Sequence, residues 1–213
     1  MHLRTGSCLA YAHACRTVAF LSAFTLLYPS TPASADLTIA GESPHAAMWR
    51  KVYQQLPDAW KSSRSVVVQE VSDAEMERIV ARTEGESSSR AQDNAVVDGC
   101  FEPGQQDNVP DTITLRETLR GQDAELVFTH EYGHFVWDSR LTRAQRDQYR
   151  RVWREQKRQK HLITEYAGDS AEEGFAEAFA YFLRKSPTLH RRDAESWKFL
   201  NDLLPEKQRF FND

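Results

Sequence analysis

Cysteine is almost missing from this chain. Three occur among 213 residues, and two of them, Cys8 and Cys15, lie within the first fifteen positions. Cys100 stands alone after that, so no intramolecular disulfide framework can hold the remainder together. A basic excess is missing too. From Asp36 onward, with Arg4 and Arg16 set aside, 25 Lys and Arg face 31 Asp and Glu, a net charge of −6. A nucleic-acid binder would normally present a basic surface, so no nucleic-acid partner is expected. The apolar run Thr17–Tyr28 (TVAFLSAFTLLY) covers about a dozen residues, short of the ~20 that span a bilayer. Beyond residue 35 there is no internal repeat and no low-complexity tract.

That run does fit another purpose. Arg4 and Arg16, the only charged side chains of residues 1–35, precede it, and PSTPASA follows it. A basic start, a short apolar stretch and a small-x-small ending at Ala33-Ser34-Ala35 is the layout of a secretory signal peptide. The expectation is cleavage near Ala35. Residues 36–213 would then be one domain, extracellular or periplasmic, with no membrane segment. An exported fold without disulfides must rest on its core, or on a core plus a metal. Nothing near Cys100 suggests an activated thiol, so it is expected to be a small, buried or half-buried residue.

Periodicity predicts strands first and helices after. Residues 44–62 read as helix and turn, with Trp49, Val52 and Leu56 at helical spacing. Ser65–Val71 (SVVVQEV) is rich in β-branched residues and reads as a strand. Ser72 and Glu75 make a capping-box pattern that starts a helix through about Arg82. Residues 83–94 are polar and loop-like. A second strand is expected over Ala95–Phe101, broken at Gly99, and a third over Thr112–Leu119 (TITLRETL). Helices follow over about 122–139, 142–161, 170–185 (stopped by Pro187) and 193–204. This order suggests an α+β domain, a small sheet packed on a helical half. Residues 141–161 carry eight Lys and Arg against two acids. A solvated helix face is the bland explanation. A basic groove for an acidic substrate is the functional one.

The stretch FTHEYGHFVW holds His130-Glu131-Tyr132-Gly133-His134. On a helix His130 and His134 lie one turn apart and point the same way. Both imidazoles can then reach one metal at about 2.0–2.1 Å. Glu131 sits about 100° round, beside the metal without occupying a ligand position. Zinc lowers the pKa of a bound water to about 7, and a carboxylate placed there can take its proton. Phe128, Tyr132 and Phe135 form an apolar stripe on the far side. The bland alternative is a pair of core histidines satisfied by hydrogen bonds.

A catalytic zinc needs a third protein ligand and an open fourth position. The three-histidine pattern of the metzincins needs a glycine and a histidine soon after the motif, but His134 is followed by FVWDSRLTR, so that route is closed. In ITEYAGDSAEEGFAEAFAYFLRKS, a helix starting near Asp169 puts Glu173, Ala176, Glu177 and Ala180 on one face. Phe175, Phe179 and Phe182 fall on the other. Two acids backed by alanines suit a helix lying close against another polar face, although an acidic solvent face would read similarly. Asp169 as N-cap with Glu172 three residues on makes a capping box and leaves Glu173 free. Glu173 is therefore expected as the third ligand. Glu177, a turn later, is expected to accept a hydrogen bond from the outer nitrogen of a ligating histidine.

HEYGH, then Tyr166, six residues and EEGFAEAF together resemble the peptidase domain of anthrax lethal factor and the related secreted Pro-Pro endopeptidases. The likeness covers about Thr112–Phe182. It implies a zincin-like fold with His130, His134 and Glu173 on zinc and Glu131 as general base. It also implies that Tyr166 donates a hydrogen bond to the developing oxyanion, a role that spacing alone does not assign. The strand TITLRETL resembles the edge strand on which zinc peptidases lay an extended substrate. Glycine at position 174 departs from the phenylalanine of lethal factor.

Together these features lead to an expectation: a secreted zinc endopeptidase with one Zn2+ per chain, acting on an extended peptide or protein substrate. A rival from another class is an exported toxin-like or binding module that keeps a zinc site without general peptidase activity. The intact Glu131 argues against it, because a structural site needs no base. An exopeptidase would need a charged anchor for a chain terminus, and none is evident.

Overall fold

A computed structural model describes residues 37–62, 66–84, 97–104 and 109–208. The expected signal peptide and residues 85–94 of the loop expected over 83–94 lie outside these residues, whereas Thr83 and Glu84 are helical. Among the described residues four strands form one sheet: β1 (Thr38–Ile39), β2 (Val66–Val71), β3 (Gly99–Glu102) and β4 (Asp111–Arg116). Seven helices complete the set: α1 (Ala46–Gln54), α2 (Asp73–Glu84), α3 (Gly121–Ser139), α4 (Arg143–Gln159), α5 (Ala171–Arg184), α6 (Ser186–Arg192) and α7 (Ala194–Leu203). Single 3-10 turns occupy Asp58–Trp60, Tyr166–Gly168 and Glu206–Gln208. The protein is mixed α+β and mostly helical. No described helix is long and apolar enough to cross a membrane.

The strand order is β1-β2-β4-β3. β1, β2 and β4 run parallel, with α1 and α2 in the two crossovers, since a parallel pair cannot be joined by a tight hairpin. β3 runs antiparallel to β4, with Phe101 opposite Ile113. TITLRETL is therefore not at the edge. Its residues 112–116 lie in the interior strand β4, paired with β2 on one side and β3 on the other, and the strand ends before residues 117–119. Its own residues show this, because Ile113 and Leu115 are fully buried on one face while Thr114 and Arg116 are buried on the other. The two edges are β1 and β3, and β3 starts at Gly99 instead of breaking there.

Helix boundaries follow from local chemistry. Ser72 caps α2, its Oγ accepting the Glu75 N–H at 3.3 Å. A full capping box at Thr142 and Gln145 starts α4. Asp193 caps α7 by accepting the Ser196 N–H at 3.1 Å. Pro187 follows the α5 C-cap, Lys185, by two residues, where a proline bars the helix from continuing. It sits in the first turn of the extra helix α6, where a missing N–H costs no hydrogen bond.

α3 runs through the middle of the molecule. Every residue from Leu126 to Trp137 is buried, so the helix has no solvent face and the expected polar side is covered as well. Phe128 stacks on Trp49 at 5.5 Å, and the Tyr132 hydroxyl donates to the Trp60 carbonyl at 3.0 Å. α5 lies against α3 and turns Phe175, Phe179 and Phe182 into the core, where Phe179 meets Trp60 at 4.9 Å. Burial of each such ring stabilises by roughly 1.5–3 kcal/mol. One hydrophobic cluster reaches from Leu37 to Leu204. Cys100 is buried, as its surroundings in the sequence led us to expect.

Candidate metal centre

The centre is a seam between α3 and α5. Gly133 lets the two backbones approach: a Cβ there would stand 2.8 Å from the Ala176 Cα, closer than packed atoms tolerate. Small residues at the crossing bring the longer side chains on either side of it within reach of one another. The N-cap of α5 is Ser170, not Asp169. The Ser170 Oγ accepts the Glu173 N–H at 3.0 Å. Both residues are suitable caps, and the helix starts one position later than the Asp169–Glu172 box requires. Glu172 is consequently not a cap partner, and its Oε1 lies 3.6 Å from His134 Nδ1.

Within the seam His130, His134 and Glu173 come together, all buried. The Nε2 atoms of the two histidines are 3.1 Å apart. Glu173 Oε2 lies 3.3 Å from His130 Nε2 and 3.5 Å from His134 Nε2, yet neither Glu173 oxygen makes a hydrogen bond. Three ligand atoms around a common point, one a buried carboxylate without a hydrogen bond, is what a cation would satisfy. The donor set therefore fits a metal ion. Glu177 Oε1 is 3.0 Å from His130 Nδ1. A carboxylate only accepts, so Nδ1 donates, and a metal that replaced the other ring proton would meet the Nε2 lone pair turned into the cluster.

Charge coupling inside the seam is strong. Burial favours the neutral form of His130, but the nearby carboxylate of Glu173, the hydrogen bond to Glu177 and the charge of Glu131 outweigh it and push the ring up to about 9. Burial acts likewise on His134, and the charge of Glu173 raises it well above the ordinary imidazole value. Glu173 behaves in the opposite sense. Burial would raise its carboxyl, but the two histidines hold it well below the carboxylate range. This carboxylate keeps its charge in the interior because positive charge is drawn to it.

Glu131 shifts in the opposite sense from Glu173. Burial raises it, and the two histidines do not cancel the effect. Its side chain faces β3: a Cβ at Gly99 would stand 2.8 Å from both Glu131 Cγ and Glu131 Oε1. The edge strand thus passes directly against this carboxylate, and only glycine fits there. An elevated carboxylic acid beside a metal-binding cluster is a common property of functional sites.

Tyr166 enters from a 3-10 turn, with its ring centroid 5.8 Å from that of His130. α4 holds this turn from one side. Trp153 Nε1 donates to the Ala167 carbonyl at 2.8 Å, and Lys157 Nζ donates to the Gly168 carbonyl at 2.6 Å while lying over the Trp153 ring. Gly174 makes room for that indole, since a Cβ would meet Trp153 Cδ1 at 2.5 Å. Position 174 is accordingly set by packing against α4. From the other side Thr164 Oγ1 donates to Glu177 Oε2 at 2.7 Å.

The structure therefore brings together all six residues singled out in the sequence: His130, Glu131, His134, Tyr166, Glu173 and Glu177. Sequence reasoning missed Gly99, Gly133, Trp153, Thr164 and Glu172. Only Gly133, inside the motif and opposite an alanine-rich face, carried a usable signal. Along the basic helix Arg150, Arg151 and Arg154 are exposed. No protein-family model matches this chain, and no curated protein matches it.

Proposed function

We propose that this chain is a secreted zinc endopeptidase with a zincin-like α+β fold. The observation that carries the reading is the buried convergence of His130, His134 and Glu173, with a second buried carboxylate, Glu131, alongside but outside the ligand set. Two imidazoles and one carboxylate form the ligand set of many catalytic zinc sites, which keep one position open. The likeness of HEYGH, Tyr166 and EEGFAEAF to the lethal factor and Pro-Pro endopeptidase domains supports the same assignment.

His130, His134 and Glu173 hold the ion, and Glu177 fixes the tautomer and orientation of His130. When bound, zinc supplies a water acidified to a pKa of about 7 and a Lewis acid for the scissile carbonyl. Glu131 accepts the proton as the carbonyl is attacked, and later hands it to the leaving amine. The Tyr166 hydroxyl donates to the carbonyl oxygen as negative charge develops there, and the turn that carries the ring is anchored in advance. Among the described strands β3 pairs on one side only. An extended peptide added to that edge would run past Glu131 at Gly99, with main-chain pairing giving affinity and side-chain pockets giving selectivity.

The test is digestion of a broad, proteome-derived peptide mixture by the purified protein beside a Glu131→Gln variant. Internal cleavages present in the wild type and lost in the variant are the expected result. Absence of any cleavage by a protein that holds one zinc per chain would favour a metal-bearing binding module instead.

A further inference from the structure

Glu177 has two oxygens and two donors, and they come from different parts of the molecule. His130 Nδ1 donates to Oε1 at 3.0 Å, and the Thr164 hydroxyl donates to Oε2 at 2.7 Å. A hydroxyl has one proton to give. With that proton committed to Glu177, Thr164 Oγ1 still accepts, and it takes the Ala167 N–H at 3.0 Å. Ala167 directly follows Tyr166 in the 3-10 turn. An unbroken line of hydrogen bonds thus runs from a ligating imidazole through a carboxylate and a hydroxyl to the backbone of the turn that bears the tyrosine. Two further side-chain ties on that turn, from Trp153 and Lys157, lead away to α4.

We propose that Thr164 is a positioning residue that couples the metal centre to Tyr166, so that filling the site and fixing the tyrosine turn are one event. A metal on His130 strengthens the Nδ1–H as a donor and draws the Glu177 carboxylate into one orientation. Thr164 must follow Oε2, and the Ala167 amide follows Thr164. The coupling is reciprocal by thermodynamic necessity: whatever fixes the turn also tightens metal binding. A hydroxyl that merely caps its own turn would give the Ala167 contact alone and would not respond to metal. The inference rests on the reading that His130, His134 and Glu173 hold zinc.

The experiment compares wild type, Thr164→Val and Thr164→Ser in two measurements. One is zinc affinity by competition with a chromophoric chelator. The other is amide hydrogen exchange at Ala167 with and without zinc. Valine keeps the shape and removes the hydroxyl. It is expected to weaken zinc about tenfold, the low end for outer-shell partners, and to abolish the zinc-dependent slowing of Ala167 exchange. Serine restores both. Wild-type behaviour of the valine variant in either measurement overturns the coupling. Should that variant fail to fold, the wild type decides alone: zinc must slow exchange at Ala167, and an unchanged rate overturns the proposal. A wild type that binds no zinc defeats the metal reading and this proposal together. A zinc-binding wild type beside an indifferent valine variant defeats only the role of Thr164.

Discussion

α4 and α5 are neighbouring helices that carry charge in opposite ways. α4 has seven Lys and Arg against two acids over its 17 residues, and most of them face water. Asp147 pairs with Arg150 at 2.7 Å and Glu155 with Arg158 at 2.5 Å, each three residues apart on the exposed surface. α5 holds fewer charges but buries two of them, Glu173 and Glu177, at 2% and 4% exposure. A solvated ion pair contributes little, whereas a buried carboxylate must be satisfied by hydrogen bonds, by a cation or by protonation. The richer charge run is thus the less informative one. The lesson is that burial, more than charge density, locates chemistry in this protein.

Substitutions on the two helices and their surroundings should separate accordingly. With the three ligands and Glu131 left in place, the largest change is expected at Tyr166, on the turn that joins α4 to α5. Tyr166→Phe should lower turnover roughly 100–1,000-fold, the cost of one oxyanion donor, with zinc content unchanged. Retained turnover would remove the tyrosine from the chemistry. Next is Glu177→Ala, which should weaken zinc roughly 10–100-fold by freeing the His130 ring, as read by chelator competition. Gly133→Ala attacks the seam through packing alone. It forces α3 and α5 apart and should cost about 1–3 kcal/mol, seen as a lower thermal midpoint. A wild-type midpoint would mean that the backbones yield without penalty. The smallest effect belongs to α4: neutralising Arg150, Arg151 and Arg154 together should leave turnover unchanged. A clear loss would restore the idea of a basic groove for acidic substrates.

The same contrast explains what the sequence made legible. His130 and His134 were readable because a helix fixes four-residue spacing onto one face. Glu173 and Glu177 followed because they share their side of α5 with alanines, while the phenylalanines take the other. Tyr166 was not readable from spacing, since a lone tyrosine is ordinarily core or surface. It entered only through resemblance. Thr164 carried no signal at all, because its role depends on a carboxylate thirteen residues away. The edge strand was misplaced because alternation shows that Thr112–Leu119 is a strand but not which neighbours flank it. The hairpin with β3 decides that, through contacts between segments. Ser170 and Asp169 are equally good caps by chemistry, so only the helix start itself chooses between them. The all-round burial of α3 depends likewise on what packs over its polar side, namely α5 and Gly99.

The central claim is that the α3–α5 seam holds a catalytic metal through Glu173 as well as the two histidines. The most direct test is the metal content of the purified wild type and of Glu173→Ala, measured side by side at equal protein concentration. One zinc per chain in the wild type and essentially none in the variant is the predicted result. Equal zinc in both proteins would contradict it.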